Sequence, residues 1–142
     1  READIAKVVC PTVVIPWQER IAALRTPKDA EAAIDAMRAY HVLDPACGCG
    51  NFLVIGFREL RQLEMDTIEA MGDIGLTNAG RGGLLDVSTL CRVKVSQFYG
   101  IEIDEAAVHI ARVALWITDH QMNLEAATRF GTKCARRATA SA

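Results

Sequence analysis

His41-Val42-Leu43-Asp44-Pro45-Ala46-Cys47-Gly48-Cys49-Gly50-Asn51-Phe52-Leu53 is the stretch whose reading decides the fold. Within residues 41–44 two β-branched or aliphatic residues, Val42 and Leu43, stop at an acid, which describes a short strand. Glycine at the density found over 45–50 cannot continue a strand, so this segment is a turn. Helical spacing resumes at once with Phe52, Leu53, Phe57, Leu60 and Leu63. The order is strand, glycine loop, helix.

Toward the C-terminus, Gln97-Phe98-Tyr99-Gly100-Ile101-Glu102-Ile103 predicts a second strand that ends at acids. Asp104 caps the helix after it, whose predicted face is Ala107, Ile110, Ala111, Ala114, Ile117 and Met122, with Trp116 expected in the core. This helix is expected to end by Gly131, leaving residues 132–142, with Lys133, Arg136 and Arg137 among small side chains, as a frayed tail. Between the two units, residues 65–96 scatter Gly72, Gly75, Gly80, Gly82 and Gly83 among charges, which predicts a long connection or insertion with at most a helical stub over 66–71. Toward the N-terminus, residues 1–40 read as a helical segment. Ile5, Val8 and Val9 predict a first helix with a boundary or kink at Pro11, and Pro16 opens a second that carries Trp17, Ile21 and Leu24. Thr26-Pro27-Lys28-Asp29 supplies a cap, a first-turn proline and a carboxylate for a third helix that ends near Tyr40.

The 142 residues, 51% of them hydrophobic and 24% charged, make one globular domain at most. With a net charge of −2 and a pI near 5.9, the chain lacks the positive field that holds phosphate backbones. Five cysteines, odd in number and widely spaced, read as reduced thiols of a cytoplasmic protein. Cys47 and Cys49 beside His41 do not supply the two ligand pairs of a zinc site, so no metal is expected. His41, His109 and His120 read as surface or boundary residues. No apolar run approaches the ~18 residues of a membrane span, and the N-terminal residues are no secretory start.

Ligands of open α/β sheets bind beyond the carboxyl ends of the strands. Gly48 and Gly50 let backbone approach a ligand closely, and the amides entering the helix at Asn51 can face an anionic group. Glu102 is an anionic bidentate acceptor suited to two ribose hydroxyls, and Ile103 can lie against an adenine face. The bland alternatives are a tight turn with no ligand, and helix capping by Glu102 and Asp104. A dinucleotide fingerprint fits badly, because Leu53 stands where a third glycine belongs and the acid lies far more than ~20 residues downstream. A Walker loop fails for want of Gly-Lys-Ser/Thr. What remains is a nucleoside without a pyrophosphate.

The segment 44–53 resembles the Asp-Pro-Ala-Cys-Gly-Ser-Gly-Asn-Phe-Leu motif of S-adenosylmethionine-dependent DNA adenine-N6 methyltransferases, with Cys49 in place of serine as the one departure. Gln97-Phe98-Tyr99-Gly100-Ile101-Glu102-Ile103-Asp104 is similar to their second motif. The run 111–123, Ala-Arg-Val-Ala-Leu-Trp-Ile-Thr-Asp-His-Gln-Met-Asn, resembles the following helix in single-chain restriction-modification enzymes of the MmeI type. The resemblance covers about residues 40–131. It implies a Rossmann-like class I α/β methyltransferase fold, present here as an incomplete one: two strand-helix units preceded by helices, with residues 41–131 as a partial cofactor-binding domain.

The resemblance also implies the site. Asp44, Pro45, Ala46, Cys47, Gly48, Gly50 and Asn51 would hold the methionine end of S-adenosylmethionine, with Phe52 packed near it, Glu102 on the ribose and Ile103 flanking adenine. In the family a flipped-out adenine is held by an Asn-Pro-Pro-aromatic motif. The four prolines here are Pro11, Pro16, Pro27 and Pro45, so no Pro-Pro exists in the chain. The expectation is a fragment without catalytic residues, whose DNA contacts lie in regions that this chain does not contain and whose incomplete sheet leaves an edge open to pairing. The rival readings are a methyltransferase of the same fold acting on RNA or protein, and a truncated non-catalytic remnant.

Overall fold

A computed structural model describes residues 2–73 and 91–140. They form a mostly helical structure around a two-stranded parallel sheet. Helix α1 (Glu2–Val9), a π-helical turn (Cys10–Val14) and α2 (Ile15–Ala22) follow one another without a break. The boundary or kink expected at Pro11 is this π turn within a continuous helical run. Pro11 and Pro16 each lack an N–H, and the wider turn accommodates both, with Ile15 N–H donating to the Cys10 carbonyl. The Thr12 hydroxyl donates to the Val8 carbonyl at 2.6 Å.

Helix α3 (Pro27–Ala39) starts where the sequence places it. Thr26 Oγ1 accepts the Asp29 N–H at 3.2 Å, and the Asp29 carboxylate accepts the Thr26 N–H at 2.9 Å, closing a capping box. Strand β1 (Val42–Asp44) leads through the glycine loop into α4 (Asn51–Asp73). The region expected as a long connection from residue 65 is therefore helical as far as Asp73, and the stub expected over 66–71 is part of α4. Residues 74–90 of that connection lie outside the described residues. After a 3-10 turn (Val95–Gln97) comes β2 (Phe98–Gly100), then α5 (Glu105–Ala140). Helix α5 does not end by Gly131, and the residues expected as a frayed tail are helical through Ala140.

The strands run parallel, pairing Val42 with Phe98, Leu43 with Tyr99 and Asp44 with Gly100. Helix α4 covers one face of this pair. Its Phe57 meets Phe98 edge-on at 5.4 Å, and both are buried. Leu43 and Tyr99 point to the opposite, exposed face. The remaining core gathers around α4: Val9, Val13 and Trp17 from the N-terminal run, Met37 from α3, and Leu115 and Met122 from α5. Burial of these side chains contributes about 1.5–3 kcal/mol each.

The core-facing stripe of α5 is Ala107, Ala111, Leu115, Thr118, Met122 and Ala126. Ile110 and Ile117, expected on that stripe, are exposed, and Trp116, expected in the core, is 69% exposed. Helix α5 is apolar on more than one side, and small residues decide its phase, because alanines allow the closest approach to α4. Arg61 and Glu64, both on α4, are almost completely buried and held by a polar network. Arg61 donates to Glu64 and the Val93 carbonyl at 3.4 Å each and also to Asn123 Oδ1, while Glu64 Oε1 accepts the N–H groups of Arg92 and Val93. This network fastens the segment before β2 to α4 and α5.

Candidate functional site

Both strand-to-helix loops emerge at the same end of the sheet, because parallel strands place their carboxyl ends side by side. The pairing continues past the strands: Ile101 N–H donates to the Asp44 carbonyl at 2.9 Å, and Cys47 N–H to the Ile101 carbonyl at 3.1 Å. The Asp44 carboxylate turns onto the Ala46 N–H at 3.0 Å and starts the turn. Gly50 N–H closes it on the Cys47 carbonyl at 2.8 Å, and Val54 N–H then bonds the Gly50 carbonyl at 2.9 Å as the first turn of α4.

The glycines have specific reasons to be there. Gly48 and Gly50 have φ of +51° and +81°, in the left-handed region that side chains avoid. A Cβ at Gly50 would also stand 2.8 Å from the Ala111 Cβ of α5. Gly100, which the sequence reading singled out only as part of a strand, is a site of close packing. A Cβ there would meet Cys47 Sγ at 2.5 Å and Leu53 Cδ1 at 3.0 Å.

Glu102 joins the two loops. Its Oε2 accepts the Gly48 N–H at 2.9 Å, a contact between residues 54 apart in sequence. Its Oε1 accepts the N–H groups of Ile103 at 2.7 Å and Asp104 at 2.9 Å. The N–H groups of Asp104, Ile103 and Gly48 hold this carboxyl below its ordinary value. Asp104, by contrast, caps α5, with Ala106 N–H on its carboxylate at 3.0 Å. Burial, with the nearby carboxylates of Asp44 and Glu102, pushes the Cys47 thiol up, so it stays protonated. Acids thus converge on the loop from both strand ends.

The structure therefore brings Asp44, Ala46, Cys47, Gly48, Gly50 and Glu102 into one bonded group. Asn51 is exposed at the start of α4. Pro45 and Phe52 line a mainly apolar cleft of about 320 Å³ with Val8, Thr12, Val42 and Asp44, and Glu102 does not line it. Ile103 is 100% exposed and packs on nothing among the described residues. Also among the described residues, no group of three His, Cys, Asp or Glu is placed to hold a metal, and no helix is long and apolar enough to cross a membrane.

Over residues 21–137 the chain matches the family of the MmeI DNA-methyltransferase domain. The chain belongs to that family. A solved structure of the Type IIL restriction-modification enzyme MmeI in complex with DNA aligns with a TM-score of 0.80 and 40% identity, covering 91% of this chain and 17% of that one. DNA methyltransferase A of Bacillus subtilis (strain 168) is 45% identical over 82 residues, 58% of this chain and 8% of the relative's length. The MmeI-type chain described here thus spans a small part of the proteins it matches, and both of its strand-end loops lie inside the matched region.

Proposed function

We propose that this chain is the S-adenosylmethionine-binding portion of a DNA methyltransferase that modifies the exocyclic N6 amino group of adenine, built on a Rossmann-like class I fold. The observation that carries the reading is the hydrogen bond from Gly48 N–H to Glu102, which sets a ribose-type acceptor directly against a glycine loop of the sequence Asp-Pro-Ala-Cys-Gly-Cys-Gly-Asn-Phe-Leu. Membership of the MmeI family supports it, as does the DNA bound to the MmeI structure.

The residues fit this cofactor. Gly48 and Gly50, at positive φ, bring no side chains to the loop, which leaves its backbone open to close approach. The acids at both strand ends favour a cation, and S-adenosylmethionine, a sulfonium, supplies an activated methyl group when bound. Asp44 has one oxygen committed to Ala46 N–H and offers the other to the methionine end. Pro45, Ala46, Cys47 and Asn51 complete that end of the site, with Phe52 as its apolar wall. Glu102, with three backbone N–H groups already on it, presents the remaining acceptor site of Oε2 to a ribose hydroxyl, and the exposed Ile103 side chain gives an adenine ring a surface to cover. The role of these residues is binding and orientation. The chain contains no Pro-Pro, so base binding, DNA contact and methyl transfer are assigned to other parts of the parent protein, and the 142 residues alone are expected to be inactive. A cytoplasmic location is part of the same proposal.

Isothermal titration calorimetry with S-adenosylmethionine and its demethylated product tests the reading. Binding that Glu102→Ala abolishes is expected. Absence of binding to this chain and to the longer methyltransferase domain containing it would refute the cofactor assignment.

A further inference from the structure

Gln97 is a polar side chain only 5% exposed that the site described above does not use. It lies in the 3-10 turn just before β2. Its Nε2 donates to the Met37 carbonyl and the Tyr40 carbonyl, both at 2.8 Å, and its Oε1 accepts the Lys94 N–H at 2.7 Å. Met37 and Tyr40 close α3 immediately before β1. One buried amide thus ties the approach to β2 to the approach to β1, whose Tyr40 and Met37 lie 57 and 60 residues away in sequence.

The strands need such a grip. Their ladder has the rungs Val42–Phe98, Leu43–Tyr99 and Asp44–Gly100, and the outer side chains Leu43 and Tyr99 face away from the core. So short a parallel ladder has few backbone bonds of its own to hold its register, which rests on burial of the Phe98 face against α4 and on bonds made outside the ladder. A slip of one residue moves one strand along the other by about 3.3 Å. The 2.9 Å bond from Gly48 N–H to Glu102 cannot survive that displacement. Slippage would also strip the buried Gln97 amide of both bonds it donates and leave the Met37 carbonyl with the Tyr40 N–H alone, and this opposes it.

We propose that Gln97 is a positioning residue: its buried amide fixes the register of β1 against β2 and thereby sets Glu102 opposite the Gly48 N–H. The functional consequence rests on the reading of that pair as the cofactor site. A merely structural role, capping the end of α3, makes a different prediction, since it lowers stability without moving Glu102.

The test uses the whole chain with Gln97→Glu, which keeps an acceptor for Lys94 N–H but loses both donated bonds, and Gln97→Met, which keeps the bulk and loses all three. Nuclear magnetic resonance follows the Glu102 carboxyl titration and the Gly48 amide, and calorimetry follows S-adenosylmethionine. In both variants the Glu102 midpoint is expected to rise toward that of an ordinary glutamate. The Gly48 amide loses its protection from exchange, and cofactor affinity falls about tenfold or more. A folded variant that melts earlier but keeps the wild-type Glu102 titration and Gly48 protection overturns the proposal. If neither variant folds, the wild-type chain decides. The Gln97 side-chain amide protons must exchange no faster than the Gly48 N–H, and free exchange overturns the proposal. Should neither the wild-type chain nor the longer methyltransferase domain bind cofactor while Glu102 still answers to Gln97, the cofactor reading falls and the register role stands.

Discussion

Replacing Gly50 by alanine tests the geometry of the glycine loop through two separable effects. At a φ of +81°, an L side chain costs about 1–2 kcal/mol. The new Cβ would also stand 2.8 Å from the Ala111 Cβ and 3.2 Å from its Cα, and relieving such overpacking costs about 1–3 kcal/mol. Gly50→Ala is therefore expected to destabilise the chain by about 2–5 kcal/mol. Ala111→Gly alone should cost about 2 kcal/mol, from weaker helix propensity and the loss of a buried methyl. The double variant removes the closer conflict, with the Ala111 Cβ, and keeps the 3.2 Å approach to the Cα and the backbone strain. It should be more stable than the sum of the single variants predicts by about 1–3 kcal/mol, measured by urea unfolding followed by far-ultraviolet circular dichroism. Coupling below about 0.5 kcal/mol, or a nearly neutral Gly50→Ala, would refute the claim that the loop packs its backbone on α5.

Three further outcomes are expected. The backbone N–H groups of Asp104, Ile103 and Gly48 hold the Glu102 carboxyl below its ordinary value of 4.5, so their stabilisation is complete above that pH and is lost as the pH falls through the lowered folded value. Melting temperatures recorded from neutral to strongly acid solution should therefore drop less steeply for Glu102→Gln than for the wild type. Arg61→Met removes the cation beside a buried carboxylate and should cost about 3–5 kcal/mol near neutral pH. Burial already holds Glu64 above its ordinary value, and a raised folded pKa favours folding at low pH, so that loss should shrink in mild acid and also on adding Glu64→Gln, as denaturant titrations will show. Iodoacetamide should label the exposed Cys10 and Cys49 in the native chain but reach Cys91, buried and pushed up to about 11, only after denaturation, read by mass spectrometry. Native labelling of Cys91 at the rate of Cys49 would show that the segment before β2 is not fastened to α4.

The parts legible in the sequence were those governed by local rules. Thr26-Pro27-Lys28-Asp29 announces the start of α3, and the change from aliphatic run to glycines to helical spacing places β1, the loop and the start of α4. The parts missed depend on tertiary partners. Arg61, Glu64 and Thr67 look like surface residues, yet Glu64 takes two backbone N–H groups and the Thr67 hydroxyl bonds the Leu63 carbonyl at 2.8 Å, so α4 stays buried and helical where charge suggested a connection. In α5, periodicity put Ile110 and Ile117 on the buried face with Ala107, Ala111 and Met122, where the structure buries Leu115 and Thr118 instead. The choice of face falls to Ala111, whose small side chain fits against Gly50, and Trp116 turns outward as a result. At the site, motif and spacing supplied Asp44, the loop and Glu102 as separate candidates. That one N–H of the loop bonds the distant carboxylate had no signature in sequence, and neither did the close packing at Gly100 or the grip of Gln97.

The bond between Gly48 and Glu102 closes a ring between residues 54 apart in sequence. Any ligand that spans the two loops binds only when that ring is closed, so its binding free energy is added to the free energy of unfolding. At a concentration a hundredfold above the dissociation constant, the addition is about 2.7 kcal/mol. Because the loops lead directly into α4 and α5, the gain is felt through both helices. A rise in melting temperature is thus a direct assay for whatever occupies the site, independent of any turnover.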